Sequence, residues 1–161
     1  MLNIISIGLA VLGIILAVIF YYQGKKFKRL SYLSRSFSII SKSVTELPDF
    51  NATYADKKLQ SLNATKVLIW NSGNEVINSE NFAKSDPLQI DFGKDAKILE
   101  AKTTLVTQNA NQINLEFPFI KDGKVKFEFD YLGENDGALI SILYSGKALS
   151  KPKILGIIKG Y

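Results

Sequence analysis

The sequence predicts a mainly β protein in which one N-terminal transmembrane helix precedes an antiparallel β-sandwich, with a small β-barrel as the alternative. Three observations predict it. Residues 4–22 are apolar and carry no charge. Beyond residue 31, apolar and polar residues alternate and turn residues interrupt them, which is typical of strands. No amphipathic helix separates these stretches, which argues against an α/β fold.

The apolar run is the first element, and we interpret it as a membrane anchor at residues 1–23. At about 1.5 Å per residue, residues 4–22 span roughly 29 Å, close to the ~30 Å hydrocarbon core of a bilayer. Tyr21 and Tyr22 lie where an aromatic belt is expected. A cleaved signal peptide needs a basic segment before the apolar run and a small-x-small cleavage site. Residues 1–3 carry no basic side chain, and the apolar run is long and ends in Phe20-Tyr21-Tyr22, so we expect an anchor.

A basic cluster follows the anchor and consists of Lys25, Lys26, Lys28 and Arg29. The positive-inside rule then predicts a single-pass protein of the inner (cytoplasmic) membrane, with its N-terminus outside and its C-terminal domain in the cytoplasm. The cluster should also attract anionic lipid headgroups. We interpret residues 24–35 as a basic juxtamembrane linker that briefly continues the helix.

The charge of the remaining domain bears on its partners. Without the cluster, sixteen basic residues face fifteen acidic ones, so the domain is nearly neutral. A nucleic-acid footprint should lie on the folded domain, and nucleic acid is therefore an unlikely partner.

One face of the predicted helix carries small residues at Ser6, Ala10, Gly13 and Ala17. Such stripes let helix backbones approach closely in lipid, so this face predicts a homo-oligomer associated through the helix. The alternative is that Gly and Ala are simply common in transmembrane helices.

Residues 36–161 form the predicted β domain, with eight or nine short strands at turn spacings of roughly 8–12 residues. The predicted strands lie at residues 36–41, 57–62, 66–70, 87–92, 113–119, 124–130, 138–144 and 153–159. The alternation places one set of side chains in the core: Val67, Ile69, Leu88, Ile90, Phe127, Phe129, Ile140 and Ile142.

Six short motifs occur in order along the chain: Leu30-Ser31-Tyr32, residues 67–74, Asp86-Pro87-Leu88, residues 129–132, Asp136-Gly137 and Tyr144-Ser145-Gly146. Their order resembles that in a broad set of uncharacterised bacterial single-pass membrane proteins. The resemblance implies an N-terminal transmembrane helix with an immunoglobulin-like β-sandwich, and it brings no active site.

The composition excludes several kinds of catalysis. The chain has no His and no Cys, which excludes Ser-His-Asp and Cys-His sites and removes the commonest metal ligand. We find no Gly-rich phosphate loop and no carboxylate pair at a defined spacing. We therefore expect no enzyme, cofactor or metal, although a Ser-Lys pair remains open as a catalytic alternative.

Three sets of residues are candidates for binding. Trp70, Asn71 and Asn74 form a possible ligand loop, because the indole could stack on a ring. The alternative is an aromatic in the core followed by a turn. Asp130, Glu134 and Asp136 could hold Ca²⁺, but we favour a hairpin turn. The third set could bind phosphate or form a solvated surface: Lys94, Lys97, Lys102, Lys121, Lys124 and Lys126.

These observations favour a membrane-tethered, non-enzymatic binding or scaffolding module in the cytoplasm, whose partner is an unknown protein or nucleotide ligand. The alternative is a small membrane effector of the kind found in bacterial antiphage defence. Its β domain would sense a ligand, such as a cyclic nucleotide messenger, and its oligomerisation would perturb the bilayer.

Overall fold

The N-terminal helix is the first element of the computed structural model, which describes residues 2–47, 49–117, 123–147 and 151–159. Helix α1 runs over Leu2–Gly24. Its segment Asn3–Gly24 has a mean hydropathy of 2.8, and no other described part of the chain buries it. The predicted apolar helix is confirmed, and it is long and apolar enough to span a membrane.

Twelve strands and one short helix, α2, make up the described part of the domain. In chain order the elements are β1 (Leu30–Ile40), α2 (Lys42–Thr45), β2 (Thr53–Tyr54), β3 (Lys57–Lys58), β4 (Leu62–Asn71), β5 (Ile77–Asn78), β6 (Gln89–Asp91), β7 (Ala96–Val106), β8 (Asn114–Glu116), β9 (Lys124–Glu128), β10 (Tyr131–Leu132), β11 (Gly137–Gly146) and β12 (Lys153–Leu155). Single 3₁₀ turns lie at Ser79–Asn81 and Asn109–Asn111.

Two four-stranded antiparallel sheets form the body of the domain. The first sheet has the order β1-β4-β11-β7, and the second has the order β12-β6-β9-β8. Two short ribbons, β2-β3 and β5-β10, flank them. Over the described residues the two sheets stay separate, so the sandwich prediction is confirmed and the barrel alternative is wrong.

The core lies between the two sheets and contains side chains from both. Ile69 and Ile140 enter it from the first sheet, and Ile90 and Phe127 enter it from the second. All eight side chains that the alternation placed in the core are buried. The alternation of apolar and polar residues along the strands therefore predicted these core residues correctly.

The segment between helix and domain is shorter than predicted. Helix α1 ends at Gly24 and β1 already begins at Leu30, so only residues 25–29 form a linker. The predicted helical continuation through residues 24–35 is wrong, because residues 30–35 pair with β4. Pairing with a neighbouring strand outweighed the weak strand propensity of this serine-rich segment.

Sequence reasoning missed the long strand β7, as well as the two-residue strands β2, β5 and β10. Two register shifts interrupt the pairing of β7 with β11, between Leu139 and Ile140 and between Leu143 and Tyr144. Each bulge adds a residue and resets the alternation of side chains between the two faces. Strand β7 is long, but its sequence therefore lacks the period-two pattern that indicated the other strands.

Other predicted strands differ mainly in their ends. The predicted strand at residues 57–62 divides between β3 and the start of β4. The last predicted strand, residues 153–159, is reduced to β12, and Ile158 instead forms an isolated bridge with Phe82. Part of the predicted strand at residues 113–119 lies outside the described residues.

Candidate functional site

The loop at residues 71–75 holds the linker against the domain. The backbone N–H of Ser72 donates to the carbonyl oxygen of Arg29 at 2.7 Å. The N–H groups of Asn74 and Glu75 both donate to the carbonyl oxygen of Phe27, at 3.1 and 3.2 Å. We call this contact between residues 25–29 and residues 71–75 the clasp.

Asn74 adds two side-chain hydrogen bonds to the clasp. Its Oδ1 accepts from the N–H of Phe27 at 2.9 Å, and its Nδ2 donates to the carbonyl oxygen of Lys25 at 3.0 Å. One amide therefore pairs with the backbone of the linker on both of its polar atoms. Asn74 was predicted as part of a ligand loop, which stays a prediction, and in this structure its side-chain amide bonds to the backbone of the linker.

Gly73 lets the two segments approach closely. A Cβ atom at Gly73 would lie 2.3 Å from the carbonyl oxygen of Phe27 and 2.7 Å from the amide nitrogen of Arg29. Both contacts are with backbone, which cannot move aside as a flexible side chain can. The clasp in this form therefore requires glycine at this position.

Two members of the basic cluster have contacts within the protein: Lys28 contacts the domain, and Arg29 contacts Phe27 of the linker. Lys28 Nζ donates to Asn81 Oδ1 at 3.2 Å and lies 3.9 Å from a carboxylate oxygen of Glu75. The guanidinium of Arg29 lies 5.2 Å from the centre of the Phe27 ring. Lys25 and Lys26 are exposed. The cluster thus divides between contacts with the protein and contacts with its surroundings.

Asn71 is a buried structural residue of the same loop. Its Nδ2 donates to the carbonyl oxygens of Glu75 and Leu132, at 2.8 and 3.0 Å, and its Oδ1 accepts from the N–H of Gly73 at 2.9 Å. These bonds fix the shape of the loop from inside. Trp70 is half-buried on the outward face of the first sheet, so the alternative of a core tryptophan is wrong, and its stacking role stays a prediction.

The predicted carboxylate cluster forms a turn. Asp136 is buried, and its Oδ2 accepts from the N–H of Gly133 at 2.9 Å and from Nδ2 of the buried Asn111 at 3.1 Å. Asp130 and Glu134 are exposed. Within the described ranges, no three His, Cys, Asp or Glu residues are grouped as metal ligands.

An open groove of about 880 Å³ lies near the clasp. Its apolar lining includes Phe82, Leu88 and Phe129, and its charged lining includes Lys84 and Lys159. Glu80 and Ser79 belong to the 3₁₀ turn that Lys28 reaches through Asn81. Sequence reasoning missed this groove, because three distant segments form it and no local motif marks any of them.

An ion-pair cluster lies at the groove wall. Lys126 pairs with Glu128 and with Glu116, the latter at 3.2 Å. The hydrogen bond to Glu128 raises the pKa of Lys126 above its ordinary 10.5. The bond to Lys126 lowers the pKa of Glu128 below its ordinary 4.5. Both charges are therefore retained at neutral pH.

The remaining predicted residues are dispersed. Lys97 and Lys102 lie on β7 in the first sheet, whereas Lys124 and Lys126 lie on β9 in the second, so the lysines do not converge. Lys94 is in an exposed turn, and Lys121 lies outside the described residues.

The predicted association residues and the two tyrosines of the predicted membrane-contact set lie on exposed parts of α1, whereas the basic members of that set lie in the linker that follows it. The rings of Tyr21 and Tyr22 pack edge to face in its last turns, with centroids 5.6 Å apart. The small-residue stripe comprises Ser6, Ala10, Gly13 and Ala17. A Cβ atom at Gly13 would have no described neighbour within 4 Å, so there is room for a close approach at this position, and association through the stripe stays a prediction.

Comparison with known proteins gives no further guide to function: no protein-family model matches the chain, and no curated protein and no solved structure is significantly similar to it.

Proposed function

We propose that this protein is a membrane-tethered, non-enzymatic binding module in the cytoplasm, whose sandwich takes a ligand or a protein segment in the groove beside its anchor. The observation that carries the proposal is the clasp. A freely hinged domain would need no such contacts, whereas here a five-residue linker forms hydrogen bonds with the domain along most of its length.

The clasp also connects the anchor to the groove. Lys28 reaches Asn81, and Asn81 accepts a second hydrogen bond, from the N–H of Asn78, that holds the 3₁₀ turn at Ser79–Asn81. Residues of this turn line the groove. A partner bound there would therefore be held at a fixed position relative to the anchor.

The lining favours binding over catalysis. Its floor is aromatic and aliphatic, and its rim carries separate lysines. Of the two acidic residues in its lining, Glu128 already pairs with Lys126, and Glu80 lies in the 3₁₀ turn. Concave apolar sites with a few polar groups are typical of ligand and peptide binding. The absence of His and Cys from the sequence removes the usual nucleophile–base pairs.

Site-specific photo-cross-linking in cells tests the proposal. A photoreactive residue replaces Lys84 at the groove rim, and the control carries it at Lys94, which is equally exposed but outside the groove. We expect a discrete cross-linked product from position 84 and a weaker, unspecific pattern from position 94. Equal patterns from both positions would contradict a binding role for the groove.

A second pair of variants distinguishes binding in the groove from non-specific binding to the surface of the domain. Ala83→Trp places an indole in the groove and should abolish the product at position 84, while Ala110→Trp adds the same side chain at an exposed 3₁₀ turn and should leave it. Thermal unfolding of both variants confirms that the domain is still folded. If a folded Ala83→Trp variant retained the product, the partner would bind elsewhere.

A further inference from the structure

Four leucines lie side by side across the outward face of the first sheet. Leu33 on β1 is opposite Leu68 on β4, and Leu139 on β11 is opposite both Leu68 and Leu105 of β7. Their chain neighbours, such as Val67, point into the core, so the leucines point out. With strands about 4.8 Å apart, this leucine row is roughly 14 Å long.

No other described part of the chain covers the leucine row. Leu33 and Leu105 at its two ends are 65% and 64% exposed. Between them, Leu68 is 38% exposed and Leu139 is half-buried. Trp70 lies in the next outward row, opposite Ser31, and extends the apolar surface toward the linker. A contiguous exposed apolar patch of this kind marks an interaction surface.

A row of cations borders the leucines on the side away from the linker. It consists of Arg35 on β1, Lys66 on β4 and Lys102 on β7, which are aligned across the sheet through Ser141. Glu100 lies 3.7 Å from Lys102. The face therefore has an apolar strip, an adjacent basic strip and a net positive charge, as an interfacial membrane-binding surface has.

We propose that this face lies on the anionic surface of the bilayer that α1 spans. Its leucines and Trp70 enter the headgroup region, and its basic row contacts lipid phosphates. The inference rests on the proposed tether and goes beyond it, because a tether alone leaves the orientation of the sandwich open. Continuity supports it: Leu33 follows the basic linker residue Arg29 by only four positions.

Charge argues for lipid over a second copy of the chain. Two copies packed face to face through their leucine rows, with their strands parallel, would bring their basic rows close to each other, and like charges repel. Anionic phospholipid offers both an apolar layer for the leucines and phosphates for the cations. The anchor also holds this surface at the bilayer permanently, so weak contacts are sufficient.

The test uses the full chain in vesicles. The protein has no cysteine, so a single Leu105→Cys carries an environment-sensitive fluorophore on the leucine row, and Lys153→Cys carries it on the second sheet as the control. In phosphatidylglycerol-containing vesicles, headgroup spin-labelled lipids should quench the label at 105 at least about threefold more strongly than the label at 153. Equal quenching at the two positions overturns the proposal.

Charge variants test the lipid chemistry. The basic-row variant combines Arg35→Glu, Lys66→Glu and Lys102→Glu, and it should lower the quenching of the label at 105 to the level at 153. The control variant reverses the charges of Lys94, Lys151 and Lys153, and it should leave the quenching of the label at 105 unchanged. Circular dichroism checks that both variants are folded. If a folded basic-row variant is quenched like the wild type, the proposal is overturned.

Three further outcomes separate the possible failures. Protection of the label at 105 that rises with the protein-to-lipid ratio indicates a second copy and overturns the proposal. A chain that floats with the vesicles while its label at 105 stays in water refutes this inference alone. A chain that does not float with vesicles refutes the tether of the proposed function, and this inference with it.

Discussion

The side chain of Asn74 accepts a hydrogen bond from the backbone amide of Phe27 at 2.9 Å, although 47 residues separate them in the sequence. This contact joins the end of an apolar helix to a loop of a β-sandwich. Backbone N–H groups of the same loop donate hydrogen bonds to the carbonyl oxygens of Phe27 and Arg29. The linker therefore packs as a part of the domain.

Removing the Asn74 side chain should loosen the linker without unfolding the sandwich. Asn74→Ala loses two exposed hydrogen bonds, which corresponds to about 1–2 kcal/mol of local stability. We expect trypsin to cut after Lys25 and Lys26 several times faster in detergent-solubilised protein, while the melting temperature of the domain changes little. Asn51→Ala, at another exposed asparagine, is the control. Unchanged cleavage would show that the clasp does not restrain the linker.

Gly73→Ala should be more damaging, because its new Cβ atom meets backbone atoms of Phe27 and Arg29. Overpacking of this kind costs typically about 1–3 kcal/mol. The loss of stability is measured by denaturant unfolding, monitored through the fluorescence of the single tryptophan. Gly24→Ala is the matched control, since a Cβ atom there has no described neighbour within 4 Å. Equal midpoints for the two variants would contradict the close approach.

The sandwich was predictable from the sequence where burial follows period two. Val67 and Ile69 alternate with exposed neighbours along β4, and Phe127 and Phe129 do so at the end of the second sheet. The alternation failed for β7, because two bulges reset its faces. It also failed for β1, whose serines give a weak pattern and whose pairing with β4 decides its structure.

The site was less predictable, because its residues act through contacts that are distant in sequence. The ligand loop was predicted from the indole of Trp70, whereas the side chains that form hydrogen bonds with distant or local backbone are those of Asn74 and Asn71. An asparagine-rich turn does not reveal which backbone it will pair with. Likewise, the leucine row needs the register of three strand pairs, which no local pattern contains.

The ion pair of Glu128 with Lys126 predicts a small, pH-dependent contribution to stability. Since the pairing lowers the pKa of Glu128, its contribution is present above the ordinary value of 4.5 and is lost as the pH falls through the lowered pKa. Lys126 has a raised pKa, so its contribution is present below 10.5 and is lost at higher pH. The difference between wild type and Glu128→Gln should therefore be largest between these two pH values.

Both side chains of this pair are more than a third exposed, so water and salt screen the interaction and we expect less than about 1 kcal/mol. Urea unfolding at pH 7 and pH 3 measures the difference, which should shrink at pH 3 and at high salt. Glu134→Gln, at an exposed turn position, is the control. A difference that persists undiminished both at pH 3 and at high salt would show that Glu128 acts by packing and not by charge.

The small-residue stripe predicts that α1 associates with itself in lipid. Gly13→Leu combined with Ala17→Leu fills the face that would let two helices approach, and it should abolish chemical cross-linking between copies in membranes. The control variant, Leu12→Ile with Leu16→Ile, changes neighbouring positions without adding volume. If the leucine variant cross-links like the control, association does not use this stripe, and an effector that acts through gathered helices loses its main support.

The basic cluster predicts the orientation of the chain in the membrane, and cysteine labelling in intact cells tests this prediction. Because the chain has no cysteine, Lys153→Cys on the domain and Asn3→Cys before the apolar run each carry one unique thiol. The positive-inside rule predicts that a membrane-impermeant reagent labels position 3 in intact cells and position 153 only after lysis. The reverse pattern would place the groove outside the cytoplasm and would direct the search for its partner to the cell envelope.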